Sequence, residues 1–160
     1  MMKQKFFSTH NDYTGLIIRL TIGIVMFPHG ARAMLGWFDG YGFTQTLEGL
    51  QQMGQPWLVG LLVIVIEFFA PIFIIMGFAS RFWAIALGGL FIGIILFGGH
   101  LEHGFFMNWF GDKEGEGFEY HLLMLGLCLA LFIQGSGKYS LDNLISKTHS
   151  LNLNNDDPDS

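Results

Sequence analysis

Apolar residues in this chain form four long stretches separated by polar segments. The stretches predict helices over residues 13–35, 56–80, 82–103 and 118–135. Each is close to the length of about 20 residues that a helix needs to cross a bilayer. The first stretch reaches that length only if its helix continues through Pro28, and membrane helices tolerate such a proline. The pattern therefore predicts four membrane helices.

The composition agrees with a bilayer environment. The chain has 160 residues, of which 51% are hydrophobic and only 13% are charged, whereas soluble domains average about 25% charged residues. The net charge of −5 and the lack of a basic cluster exclude a nucleic-acid-binding protein. We expect an all-α integral membrane four-helix bundle, residues 1–145, whose main partner is the lipid bilayer.

Two further segments differ from the membrane helices. Within residues 36–55, Phe43, Leu47 and Leu50 recur at helical spacing, which predicts a short interfacial helix in the first outer loop. Residues 146–160 are polar and end in an acidic, asparagine-rich sequence. That composition predicts a disordered cytoplasmic tail.

Basic residues predict the orientation in the membrane. With the N-terminus inside, six of the eight basic residues lie on or near the cytoplasmic side: Lys3, Lys5, Arg19, Arg81, Lys138 and Lys147. The positive-inside rule then predicts a multi-pass protein of the cell (inner) membrane with both termini in the cytoplasm.

The first stretch also has features of a cleaved signal peptide. It follows basic residues, and Ala31, Arg32 and Ala33 resemble a cleavage site. Asp12, before the apolar run, and Arg19, within it, argue against cleavage. We expect the segment to be retained as the first membrane helix.

Glu67 is the most unusual side chain in the apolar stretches. A charged group at the bilayer centre costs about 2.5–3.5 kcal/mol on insertion scales, so it needs a reason. Glu67 lies near the middle of the second stretch. It is either a proton or ligand contact inside the bundle or a hydrogen-bonded structural partner of Arg19 or another helix.

The predicted topology gathers further polar residues at the outer mouth of the bundle. These are His29 and Arg32 at the end of the first helix, His100 and His103 at the end of the third, Glu102 between them, and Glu119 and His121 at the start of the fourth. His100 and His103 share a face if the third helix continues that far. We expect a polar ligand mouth with Glu67 beneath it.

The residue types leave several ligands open. Histidine and carboxylate groups suit proton exchange with a quinone, and they also suit a metal ion or a haem. The chain contains no HExxH, CxxCH or paired Glu-x-x-His motif, so no metal site is specified. His100, His103 and Glu102 are the weak candidates for metal ligands.

From Thr14 to Leu144, the sequence resembles the DoxX family of small membrane proteins. The matching pieces occur in order at the expected helix ends: Arg19-Leu20, His29-Gly30, Gly36-Trp37-Phe38, Glu67, Ser80-Arg81, His100, Glu119-Tyr120 and the run Gly137-Lys138-Tyr139-Ser140-Leu141-Asp142. Each piece alone is weak evidence, but together they indicate the family.

Two positions depart from the family's pattern. A lysine that often follows the His-Gly pair is replaced by Ala33, with Arg32 beside it, which shifts the basic group by about 100° around the helix. A double glycine after the glutamate is replaced by Ala70-Pro71, which predicts a kink close to Glu67.

The resemblance implies a four-helix membrane protein linked to redox processes. One hypothesis is therefore a quinone-linked oxidoreductase subunit that acts with a soluble or membrane redox partner. The other is a non-enzymatic binding, carrier or assembly subunit whose polar interior is structural or conducts a small solute. A carrier of only four helices without repeats would need to form an oligomer.

Overall fold

A computed structural model describes residues 12–155, with side-chain surroundings given for residues 12–148. This part of the chain contains six helices and no strand. They are α1 (Tyr13–Leu35), α2 (Gly42–Gln52), α3 (Trp57–Met76), α4 (Ser80–Phe97), α5 (Glu119–Gln134) and α6 (Leu141–Asn155). The predicted all-α class is confirmed.

Three of these helices are long and apolar enough to cross a membrane. They are α1, α3 and α4, with mean hydropathies of 1.4, 2.8 and 1.9. The fourth predicted span corresponds to α5, an apolar helix of 16 residues. At about 1.5 Å per residue it is about 24 Å long, less than a hydrocarbon core of about 30 Å. The helices are those of a membrane bundle, while the N-in orientation stays a prediction.

Local signals fix the ends of the long helices. The Asp12 carboxylate accepts hydrogen bonds from the backbone N–H groups of Thr14 and Gly15, at 3.1 and 3.4 Å, and so caps α1. At the other end Gly36 adopts a left-handed conformation with φ of 74°, which a glycine does at little cost. α1 continues through Pro28 and α3 through Pro71.

The bundle core lies between two helix pairs. α1 packs most extensively on α3, and α4 packs on α5. The pairs meet over a set of buried apolar side chains, which includes Ile22, Met26, Ile74, Leu87, Phe91, Met124 and Leu131. Because α1 and α4 run in one direction and α3 and α5 in the other, His29 and His100 belong to the same end. We call it the His29 end and the opposite end the Arg19 end.

The predicted short helix in the 36–55 segment is α2. Its Leu47 is buried against Ala33 and Ile64, and Leu50 packs against the same cluster. Phe43 is 36% exposed, and the interfacial location of α2 stays a prediction. α2 therefore covers the His29 end of the α1–α3 pair.

Three predicted boundaries differ from the structure. α3 ends at Met76 rather than residue 80, because Gly77 takes a left-handed conformation with φ of 66°. α4 ends at Phe97 rather than residue 103, just before Gly98 and Gly99. The polar tail predicted as disordered from residue 146 is helical as far as Asn155. Residues 156–160 lie outside the described residues, as do Lys3 and Lys5, on which the orientation partly depends.

Candidate functional site

A pocket of about 220 Å³ opens at the His29 end, between α1, α2 and α3. We call it the Glu67 pocket. It brings together three of the site residues predicted from the sequence, namely His29, Arg32 and Glu67. Its complete lining is His29, Arg32, Ala33, Gly40, Tyr41, Thr46 and Glu67.

Glycines allow the close approaches that form this pocket. A Cβ atom at Gly30 would overlap the backbone oxygen of Glu67, so α1 and α3 touch at this point. A Cβ atom at Gly40 would overlap the backbone of Arg32, so the segment after α1 folds back against the helix. The contact at Gly30 places His29 and Arg32 beside Glu67.

The polar groups of the Glu67 pocket have no hydrogen-bond or ion-pair partner among the residues whose side chains the structure describes. Within residues 12–148, the Glu67 carboxyl, the His29 ring and the Arg32 guanidinium make no hydrogen bond or ion pair. Glu67 is half-buried, while His29 and Arg32 are exposed at the mouth. The pocket can therefore offer a carboxyl group, an imidazole and a cation to a bound molecule.

Three aromatic side chains, Phe27, Trp37 and Phe68, pack on one another at the His29 end of the bundle. Phe27 is 6.3 Å from Trp37 and 6.5 Å from Phe68, measured between ring centroids. Phe27 and Phe68 lie close in the chain to His29 and Glu67, respectively. None of these three aromatic residues lines the Glu67 pocket, so they belong to the apolar packing between α1 and α3.

Arg19 does not belong to this pocket. It is not a partner of Glu67, which was one of the alternatives that the sequence left open for that carboxyl group. The Arg19 side chain is fully buried, with 0% exposure, at the opposite end of the bundle. Its guanidinium donates to backbone oxygens of α3 and of the segment after α5: Ile75 at 2.6 Å, Ser136 at 2.6 Å, Lys138 at 2.8 Å and Tyr139 at 3.1 Å. Arg19 is a structural crosslink.

Asp142 completes the same structural cluster, and sequence reasoning did not single it out. Its carboxylate accepts hydrogen bonds from the backbone N–H groups of Ala79 and Ser80, at 2.7 and 3.1 Å, and from the Ser136 hydroxyl. An acidic group at the N-terminus of α4 also interacts favourably with the helix dipole. The signal available in the sequence is the run Gly137–Asp142, which follows the last apolar stretch.

His100 and His121 form a pair apart from the residues that line the Glu67 pocket. Their ring centroids are 4.2 Å apart, and His100 Nδ1 donates to the backbone oxygen of Glu116 at 2.8 Å. His121 is only 7% exposed, and its Nδ1 atom has no hydrogen-bond partner. The predicted mouth is therefore divided into a pocket and a histidine pair.

Tyr120 lies next to this pair and was not predicted as a site residue from the sequence. Its ring packs 5.8 Å from His121, and its hydroxyl donates to the sulfur of Met26 at 3.5 Å. Tyr120 of α5 therefore contacts His121 and also Met26 of α1.

The remaining candidates are Glu119, the first residue of α5, and Glu102 and His103 in the loop between α4 and α5. Glu119 accepts a hydrogen bond from the backbone N–H of Met107 at 3.3 Å, and Glu102 is exposed. His100 and His103 do not share a helix face, since α4 ends at Phe97. Within residues 12–148, no three histidine, cysteine or acidic side chains are arranged to hold a metal ion. His100, His103 and Glu102, the weak candidates for metal ligands, are not gathered into such a group.

Comparison with known proteins identifies the family. A model of the DoxX family matches residues 14–100, more than half of the chain. The chain belongs to the DoxX family. It is also 31% identical over 112 residues to the inner membrane protein YqjF of Escherichia coli (strain K12), which covers 70% of this chain and 81% of that protein. No solved structure matches the chain significantly.

The residues matched by the family model include only some of the polar residues described above. In this DoxX protein, the matched region contains α1–α4 and with them the whole lining of the Glu67 pocket. It ends at His100, before α5, His121 and Asp142. Together with the apolar helices, the similarity to an inner membrane protein makes this chain a multi-pass membrane protein.

Proposed function

We propose that this DoxX protein is a redox-associated subunit of the inner membrane, and that it binds the head group of a quinone in the Glu67 pocket. The observation that carries this proposal is the convergence of His29, Arg32 and Glu67, without protein partners among the described residues, on one opening. Unpaired polar groups in membrane helices are costly and mark functional sites.

The chemistry of the pocket suits a small ring with hydrogen-bonding oxygens. His29 and Arg32 provide donors, and so do the hydroxyl groups of Tyr41 and Thr46. The volume of about 220 Å³ is below the range of about 300–1,000 Å³ typical of pockets that enclose a whole drug-sized ligand. A head group would fill it while an attached apolar tail stays in the lipid.

The protein groups would hold the ligand and handle protons. A bound quinone supplies two-electron, two-proton redox chemistry. Glu67, enclosed in the pocket, would hold a proton next to one ligand oxygen, and His29 at the mouth would exchange protons with the surroundings. Arg32 would attract an anionic substrate or product. Electrons would come from a soluble or membrane redox partner.

Lipid extraction tests the binding. The protein is purified with native lipid, and the quinone retained per protein is measured by mass spectrometry. We expect the wild type to retain quinone and the Glu67→Gln and His29→Ala variants to retain at least tenfold less of it per protein. Glu48→Gln is the matched control, because Glu48 is exposed on α2 and does not line the pocket. Equal retention by all four proteins would contradict the proposal, and a Soret band in the wild type would indicate haem instead.

A non-enzymatic binding, carrier or assembly subunit is the second candidate. It is favoured by the separation of His100 and His121 from the residues that line the Glu67 pocket, since the nominated groups are not assembled into one centre. The same preparation distinguishes the two. A protein that binds quinone but neither reduces nor oxidises it when an electron donor or acceptor is added acts as a binding subunit.

A further inference from the structure

The loop between α4 and α5 presents aromatic side chains to its surroundings. Phe106, Trp109 and Phe110 are 66%, 79% and 92% exposed. The backbone N–H of Gly111 donates to the oxygen of Asn108 at 3.2 Å, so Trp109 and Phe110 occupy the two central positions of a turn. We call these three aromatic residues the aromatic tip.

Several polar groups of the loop are bonded within the loop itself. The Glu116 carboxylate accepts from the backbone N–H of Asn108 at 2.7 Å, and the Asn108 side-chain amide bonds both backbone groups of Lys113, at 3.1 and 2.9 Å. The Lys113 ammonium donates to the backbone oxygen of Phe106 at 3.0 Å. These hydrogen bonds reduce the number of polar groups that the loop would expose to lipid, where unsatisfied backbone groups are costly.

The depth of the loop follows from its attachment to α5. The backbone N–H groups of Phe118 and Glu119 donate to the oxygens of Gly104 and Phe105, at 3.2 and 2.9 Å. α5 has 16 residues and falls about 6 Å short of the thickness of a hydrocarbon core. A loop fixed to its first turn therefore lies at the boundary between acyl chains and head groups.

We propose that the aromatic tip inserts into the lipid interface at the His29 end and anchors the loop to the bilayer. Tryptophan and other aromatic rings favour this region of a membrane, where they meet both apolar and polar surroundings. Asp112 and Glu114, just after the tip, are exposed and remain in the water. Their charge favours a zwitterionic over an anionic lipid surface.

A spin label tests the depth of the tip. Cys128 is the only cysteine in the sequence, so Cys128→Ala gives a background for Phe110→Cys and for the matched control Asp112→Cys. Each labelled protein is reconstituted in phosphatidylcholine vesicles, and collisions with oxygen and with a water-soluble nickel chelate are compared. We expect the label at position 110 to collide at least threefold more with oxygen than with nickel, and the label at position 112 to show the opposite preference.

Two outcomes would overturn the insertion. Equal nickel access at positions 110 and 112 would mean that the tip stands in water. Protection of position 110 from both reagents would mean that protein covers it, and dipolar broadening would identify a second copy of the chain. If the cysteine background fails to fold, quenching of tryptophan fluorescence by brominated lipids in the otherwise native protein replaces it. Trp109→Phe must then remove part of the quenched signal, and no change would reject the proposal.

Discussion

Arg19 Nε donates a hydrogen bond to the backbone oxygen of Ser136 at 2.6 Å, across 117 residues of sequence. The same guanidinium also bonds the backbone of α3, through the oxygen of Ile75. The charge is thus dispersed over several carbonyl dipoles in a site with no access to solvent. This arrangement ties the beginning of α1 to the ends of α3 and α5.

Replacement of Arg19 should strongly destabilise the fold. Arg19→Gln leaves several buried backbone oxygens without donors, and we expect the free energy of unfolding to fall by about 3–5 kcal/mol, as when one partner of a buried charged network is removed. Chemical unfolding in detergent micelles measures the loss. Arg32→Gln is the matched control, because Arg32 is exposed, and its effect should stay below about 0.5 kcal/mol. Equal losses in the two variants would contradict the structural role of Arg19.

Asp142 should contribute to the same end of the bundle. Asp142→Asn keeps one acceptor oxygen but replaces the other with a donor that faces N–H and hydroxyl groups. We expect a loss of about 1–3 kcal/mol in the free energy of unfolding. The same measurement on Asp112→Asn, at an exposed loop position, should show almost no change. A stable Asp142→Asn variant would mean that α4 does not depend on this cap.

The sequence predicted the spans because the bilayer imposes a length and an apolar composition on each of them. It could not predict the partners of Arg19, because these partners are backbone carbonyl groups. Every residue has such a group, so the residue types in the sequence do not show which ones accept the hydrogen bonds. The conjectured Arg19–Glu67 contact assumed that a buried cation requires an acidic partner. In this structure the backbone carbonyl groups accept the hydrogen bonds of the Arg19 guanidinium, and Asp142 is the acidic group nearby.

The candidate site was predicted only in part, because the sequence does not show which side chains meet in space. Topology gives the height of each residue along the bundle, and that was enough to place His29 and Arg32 near Glu67. It does not give the position of a residue around the bundle axis. His100 and His121 were therefore grouped with the pocket, although His100, in the loop after α4, pairs with His121 of α5. The end of α4 at Phe97 also depends on two glycines whose conformation the apolar pattern does not reveal.

A side chain at Gly30 should separate the two helices that form the Glu67 pocket. The added Cβ atom of Gly30→Ala would overlap the backbone of Glu67, which cannot move as a flexible side chain could. We expect a loss of about 1–3 kcal/mol in stability, as for other overpacked sites, together with weaker ligand binding. Gly126→Ala is the control, since nothing lies within 4 Å of its added Cβ atom, and it should be neutral or stabilising. Similar behaviour of the two alanine variants would argue against the close contact of α1 and α3.

The Nδ1 atom of His121 is buried without a hydrogen bond. Two substitutions can therefore distinguish the contribution of the packed ring from that of its polar atom. His121→Phe retains a ring against Phe91 and His100 and removes a buried polar atom that has no hydrogen bond. The cost of such an unsatisfied group is about 1–3 kcal/mol, so we expect this variant to be at least as stable as the wild type. His121→Ala should instead lose about 3–5 kcal/mol, because it leaves a cavity. Thermal unfolding of both variants in the same detergent checks the order. A His121→Phe protein less stable than the wild type would mean that Nδ1 makes a stabilising interaction in the folded protein.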